Sequence, residues 1–157
     1  MATEPDRPNI SPMVHPPIVA LIFIVIAYFL GRFVPLPFSV PAVVRYIGLA
    51  MTLVGFLLGI ASFLEFSRAR TTLDPHGSVK QVVTSGIYRF TRNPIYLGFL
   101  LMVIGLPLNS GLYWGLVLAP FHVLAMNRLV IQQEEAYLTK KFGKEYTSYT
   151  ARVRRWL

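Results

Sequence analysis

Long apolar runs dominate this chain, and a backbone that must live in lipid has few architectures open to it. Residues 18–34 are apolar except for Arg32, and residues 42–66 form a second run with Arg45 and Glu65 near its ends, where long side chains can snorkel to water. Residues 95–106 are apolar but too short to span alone, and residues 112–131 make a further long run. Pro35, Pro37 and Pro41 force a turn after the first run, and Pro107, Asn109 and Gly111 break the third from the fourth. In hydrocarbon every N–H and C=O must be paired internally, so each run reads as a helix. The predicted fold is all-α: a single-domain integral-membrane bundle of about four transmembrane helices, the third tilted or completed by residues before Ile95. Only 14% of residues are charged, against about 25% in a soluble domain. Gly55 and Gly59, with Gly48 one heptad earlier, predict a stripe of close helix packing.

Charge orients the bundle. With four spans, the N-terminal tail, the 67–94 loop and the C-terminus share one side. That side carries Arg7, then Arg68, Arg70, Lys80, Arg89 and Arg92, then Arg128, Lys140, Lys141, Lys144, Arg152, Arg154 and Arg155. The other side has Arg32 and Arg45 alone. By the positive-inside rule both termini are expected in the cytoplasm. The net charge of +8 thus serves topology and anionic lipid, and needs no nucleic acid to explain it. Residues 1–17 lack the basic start and apolar core of a signal peptide, so they read as a retained, loosely ordered tail. There are no cysteines, which excludes thiolate metal sites and a cysteine nucleophile in this chain.

The stretch from Gly86 to Gly98 (Gly-Ile-Tyr-Arg-Phe-Thr-Arg-Asn-Pro-Ile-Tyr-Leu-Gly) is polar and arginine-bearing just where a hydrophobic helix begins. Asn93 followed by Pro94 reads as an N-cap with proline at the first helical position. Such a helix start offers amide donors and a positive dipole end to an anion. Arg89 and Arg92 add charge, Tyr88 and Tyr96 add aromatic faces, and Gly98 lets a ligand approach the backbone. A capped helix start gripping lipid headgroups fits the same residues, and the residues alone leave both readings open.

The C-terminal segment, 132–157, repeats Leu138, Phe142, Tyr146, Tyr149, Val153 and Trp156 at spacings of three and four, with most lysines and arginines off that stripe. This predicts an amphipathic helix bent at Gly143, either an interfacial anchor, which the pattern favours, or a lid over a pocket. Glu134 and Glu135 are adjacent carboxylates near the bilayer, either an exposed collar paired with lysines or inward acceptors for ligand hydroxyls and amines. Mid-span His122 is an intramembrane ionisable group, expected to be neutral and hydrogen-bonded to a helix neighbour. Asn127 and Arg128 read as an inner lining or an interfacial snorkel.

These pieces together resemble the isoprenylcysteine carboxyl methyltransferase and phospholipid methyltransferase superfamily, in the manner of its short bacterial-type members. The resemblance runs from near Thr84 to Leu157. It rests on the 86–98 stretch, Asn127-Arg128, Glu134-Glu135, and the run from Phe142 to Tyr149 that leads into Arg-Val-Arg-Arg-Trp at 152–156. It implies a membrane bundle with a cytoplasmic pocket, S-adenosyl-L-methionine as cofactor, and a lipophilic or lipid-modified acceptor. Nominally the acceptor is an isoprenylcysteine-type carboxylate; a phospholipid amine or a small thiol is the enzymatic alternative, and a non-catalytic membrane scaffold or partner subunit the other. It also implies that Tyr88, Arg92, Asn93, Pro94, Tyr96, Gly98, Glu134, Glu135, Tyr146 and Tyr149 surround the cofactor. Arg92 and the amides after Asn93 would take its carboxylate, a glutamate its amine or ribose, and the tyrosines its sulfonium or adenine. No residue is assigned a catalytic role. Asn93 stands where eukaryotic carboxyl methyltransferases of the family usually show histidine, within Arg-His-Pro, and that departure bears on substrate identity.

Overall fold

The computed structural model describes residues 6–74 and 76–157. Its helices are α1 (Pro16–Phe33), α2 (Ala42–Arg68), α3 (Pro94–Asn109), α4 (Trp114–Met126), α5 (Gln132–Phe142) and α6 (Lys144–Thr150), with a short 3₁₀ turn at Gly86–Arg89. No strand occurs among the described residues. A π turn, Asn127–Ile131, joins α4 to α5 without a break. Trp114–Phe142 is therefore one rod of 29 residues, about 43 Å at about 1.5 Å per residue. That exceeds a hydrocarbon core of about 30 Å, and the α5 part of the rod is its polar end. Helices α1 and α2 are also long and apolar enough to cross a membrane, and α3 is a shorter apolar helix. Large apolar side chains such as Phe56, Phe63 and Val43 face outward from the bundle, as lipid-facing surface does.

Close packing of α2 on α3 organises the bundle. The two helices run antiparallel, with Gly55 opposite Gly98 and Gly48 opposite Gly105. A Cβ built on Gly55 would lie 2.6 Å from the Gly98 carbonyl oxygen, and one on Gly105 would lie 2.5 Å from that of Gly48. Backbones this close exchange Cα–H···O contacts that any side chain would prevent. The expected Gly55/Gly59 pair is thus corrected: Gly59 has nothing within 4 Å, because the seam follows heptad spacing through Gly48 and Gly55.

Pro107 does not end α3. The helix runs through it to Asn109, and the reversal falls at Gly111, whose φ of +87° suits glycine. Proline leaves the Val103 carbonyl without its usual helical donor, and Gly115 of α4 packs its bare backbone against that oxygen. At this end of the bundle Tyr28 donates to the Leu106 carbonyl (3.0 Å), the Arg45 guanidinium to that of Asn109 (3.0 Å) and the Trp114 indole to that of Val34 (2.9 Å).

The opposite, basic end gathers the N-terminal residues, the loop after α2 and the C-terminal segment. The tail is not loose from Asp6 onward: Pro8 and Ile10 are buried, and Ile10 packs in a core with Tyr96, Met126, Val130 and Ile131. Residues 1–5 of that expected tail lie outside the described residues. Consecutive Val130 and Ile131 are both fully buried, an arrangement the wider π turn allows.

Candidate functional site

A cleft opens at the basic end, with about 810 Å³ of space counting its solvent-open part. Tyr88, Arg92, Asn93, Tyr96, Glu134, Glu135, Tyr146 and Tyr149 all line it, so three stretches far apart in sequence meet there. Pro94 and Gly98 do not. Pro94 is fully buried under the helix start, and Gly98 faces Gly55 in the α2–α3 seam, where its missing side chain serves helix packing instead of ligand approach.

The helix start differs in detail from the expected cap. Asn93 occupies the N-cap position and Pro94 the first turn, but the Asn93 side chain makes no cap hydrogen bond. Its amide donates instead to the Arg155 carbonyl (2.9 Å). Thr91 Oγ1 donates to the same carbonyl (3.3 Å), and the Arg92 backbone N–H donates to that of Arg154 (3.0 Å). The C-terminal strand of chain thereby sits across the start of α3.

Glu135 lies between two guanidiniums. Arg155 reaches it through Nε (3.0 Å) and Nη2 (2.5 Å), and Arg92 Nη1 stands 3.2 Å from Oε1. The hydrogen bond to Glu135 holds the Arg155 guanidinium above its usual range. Arg92 Nε is buried and has no acceptor among the described residues. An anion entering the cleft would find that donor unused, and could also draw Arg92 from Glu135. Glu134, on the same turn of α5, accepts a hydrogen bond from Tyr96 (2.7 Å). Neither glutamate is the lysine-paired collar: both are turned to the cleft.

Tyr149 donates to the Tyr88 carbonyl (2.7 Å), and both rings are buried. Desolvation raises the phenols of Tyr88 and Tyr149 above the ordinary value. Desolvation also pushes Tyr146 up to about 12, with the Glu135 charge adding and Arg92 opposing. These three phenols stay neutral at physiological pH and present donors and aromatic faces. The segment does bend at Gly143, whose φ is +52°, but α6 folds inward over the cleft. Tyr146 and Tyr149 of α6 are buried and line the cleft, the placement that a lid requires.

Tyr137 also lines the cleft and Arg155 braces it through Glu135, and neither stands out individually in the sequence. Arg155 stood in the quoted basic run, and only its pairing with Glu135, twenty residues away, distinguishes it from Arg152 and Arg154. His122 lies outside the cleft lining. It is fully buried, with Phe23 edge-on at 5.4 Å, and neither ring nitrogen has a partner among the described residues. The expected hydrogen bond to a helix neighbour is absent. Asn127 serves the tail, accepting from the Trp156 indole (3.3 Å).

Residues 43–145 match the family described as phospholipid methyltransferase. An uncharacterized protein of Haemophilus influenzae is 41% identical over 66 residues, which are 40% of this chain and all of that protein. A probable protein-S-isoprenylcysteine O-methyltransferase of Oryza sativa subsp. indica is 30% identical over 122 residues, covering 70% of this chain and 59% of its own length. The protein-S-isoprenylcysteine O-methyltransferase of Schizosaccharomyces pombe is 33% identical over 72 residues, 46% of this chain and 30% of its own. The chain thus spans well under two thirds of the named methyltransferases it matches. No solved structure matches it.

Proposed function

The chain belongs to the phospholipid methyltransferase family, and on that footing we propose that it is an integral-membrane methyltransferase using S-adenosyl-L-methionine on a lipophilic acceptor. The leading acceptor is an isoprenylcysteine-type carboxylate, the class for which the rice and fission-yeast relatives are named. One observation carries the reading: Arg92, Glu135 and Tyr149 line one part-enclosed cleft. The positive-inside distribution of lysine and arginine supports a cleft on the cytoplasmic side.

The residues fit the cofactor. The unused Arg92 Nε and the first amides of α3 suit a carboxylate, Glu134 suits an amine or ribose hydroxyl, and the neutral tyrosines suit an adenine face or a cation. When bound, the cofactor supplies a methyl group on a sulfonium, open to in-line attack. The protein's task is then alignment and exclusion of water, which α6 and the buried tyrosines serve. A carboxylate or thiolate acceptor needs little or no general base. For an amine acceptor, Glu134, which is held by Tyr96 and not by an arginine, would be a cleft carboxylate able to take a proton.

Calorimetry on the detergent-solubilised protein tests the reading. S-adenosylhomocysteine is expected to bind stoichiometrically, and Arg92→Ala to weaken it by about 10- to 100-fold, the worth of a hydrogen bond to a charged group. No binding by well-folded parent protein would leave the Arg92–Glu135–Arg155 cluster as a brace in a membrane scaffold. Membranes incubated with methyl-labelled cofactor then identify the acceptor. Base-labile label released as methanol marks a carboxyl ester; label retained in a headgroup amine or a thioether marks the alternatives.

A further inference from the structure

The cleft has a wall that lies outside the family match, which begins at residue 43. Residues 6–15 contain no helix and run across the basic end between the loop after α2 and the rod of α4–α5. Pro8 lines the cleft. Two residues on, Ile10 is 6% exposed and sits against Tyr96, itself a lining residue. The middle of this strap, at Pro8 and Ile10, is therefore apolar and buried.

Its tip is held differently. The Lys141 ammonium donates to both Asp6 oxygens at 2.7 Å, Tyr137 donates to Oδ1 at 2.9 Å, and Ser78 donates to Oδ2 at 2.5 Å. One carboxylate thus joins the strap, the loop after α2 and α5. The Asp6 side chain is 62% exposed. The Lys141 side chain is 25% exposed, so the pair is part-exposed, contributes modest stability and is screened by salt, and the tip can release while Ile10 stays seated. Tyr137 also lines the cleft, so the clasp stands at its mouth.

We propose that residues 6–9, pivoting on the seated Ile10, form a hinged lid over the ligand cleft, latched by Asp6 onto Lys141, Tyr137 and Ser78, and that unlatching admits and releases the cofactor. The role of the lid in cofactor exchange rests on the function proposed above; its opening does not. The absence of cysteine lets a single reporter, Leu138→Cys, be placed in the cleft lining of the full-length protein without background.

Maleimide labelling of that reporter is expected to quicken about threefold to fivefold when Asp6→Asn or Lys141→Met is added, the factor a part-exposed charge pair is worth. In the chain without the reporter, the same two variants should raise the dissociation rate of S-adenosylhomocysteine by a similar factor, with the helical circular dichroism unchanged. Combining the two variants should add nothing further, since both open one latch. Equal labelling rates in parent and variants would overturn the lid. Faster labelling with an unchanged dissociation rate would overturn its role in exchange. A parent that binds no S-adenosylhomocysteine overturns the cofactor reading, and labelling alone then decides whether the strap opens.

Discussion

The α2–α3 seam and the cleft at the basic end are built by opposite means. In the seam, four glycines at heptad spacing bring two backbones together, and nothing polar is needed between them. In the cleft, side chains of high cost to bury converge from stretches far apart in the chain, and Glu134, Glu135 and Tyr149 each pair with a residue distant in sequence. The seam derives its strength from the absence of side chains, so it tolerates almost no addition. The cleft depends on pairs, so it should weaken in steps as single partners are removed, and it retains an unused donor at Arg92. One region is fitted to hold still; the other keeps binding capacity in reserve.

The largest effect that would break this contrast belongs to the seam. Gly98→Val and Gly55→Val place carbon where a carbonyl oxygen stands at 2.6 Å. Because the obstacle is backbone, relief requires the helices to separate, at a cost of about 3 kcal/mol or more. Loss of the monodisperse species in detergent is the expected outcome. Gly59→Val, at a position with open space around it, should leave thermal unfolding unchanged. If Gly59→Val proves as damaging as Gly98→Val, the seam has been placed on the wrong face of α2.

The cleft should respond less steeply. Glu135→Gln keeps the shape but removes the charge that two guanidiniums share, and each of the three side chains is 15–34% exposed. Partial exposure lets water recover part of the loss, so about 1–2 kcal/mol of stability is expected to go. Proteolysis of the tail after residue 143 should quicken accordingly. An unchanged cleavage rate would mean that the backbone bonds from Arg92 and Asn93 to the tail carbonyls suffice without the ion pairs.

The contrast also explains what could be read from the chain. The helices follow from the length of the apolar runs, and the grouping of the basic segments at one end follows from lysine and arginine placement. Both are properties of short windows. The Gly48/Gly55 register was half visible: the small residues announced a packing face, but Gly59 sat on the same pattern, and only the partner helix decides between them. At the site, the 86–98 stretch and the glutamate pair were legible because polar groups beside lipid stand out. What stayed hidden was who pairs with whom. Asn93 looks like a cap because its neighbours are Arg92 and Pro94, yet its side chain makes no cap bond and its Nδ2 donates to the carbonyl of Arg155. Asp6 looks like part of a loose tail because nothing near it in sequence is apolar enough to hold it, and its partners are 72 and 135 residues away.

The smallest effect concerns the covering of Tyr146, and it separates lid from anchor. Burial raises this phenol to about 12, against about 10 for a free tyrosine. The folded protein therefore holds the neutral form more tightly than the unfolded chain does. Its contribution to stability is complete below about pH 10 and is lost as pH climbs from there toward about 12. Tyr88 and Tyr149 shift in the same direction for the same reason, so the three together should steepen the alkaline loss of stability. Ultraviolet titration of tyrosinate in detergent should show Tyr146→Phe removing one late-titrating phenol. Loss of an early-titrating one instead would mean that α6 leaves the ring in water, and the C-terminal segment would then be an interfacial anchor after all. The cleft would lose its roof, and the distinction between a rigid seam and a reserved site would lose its second half.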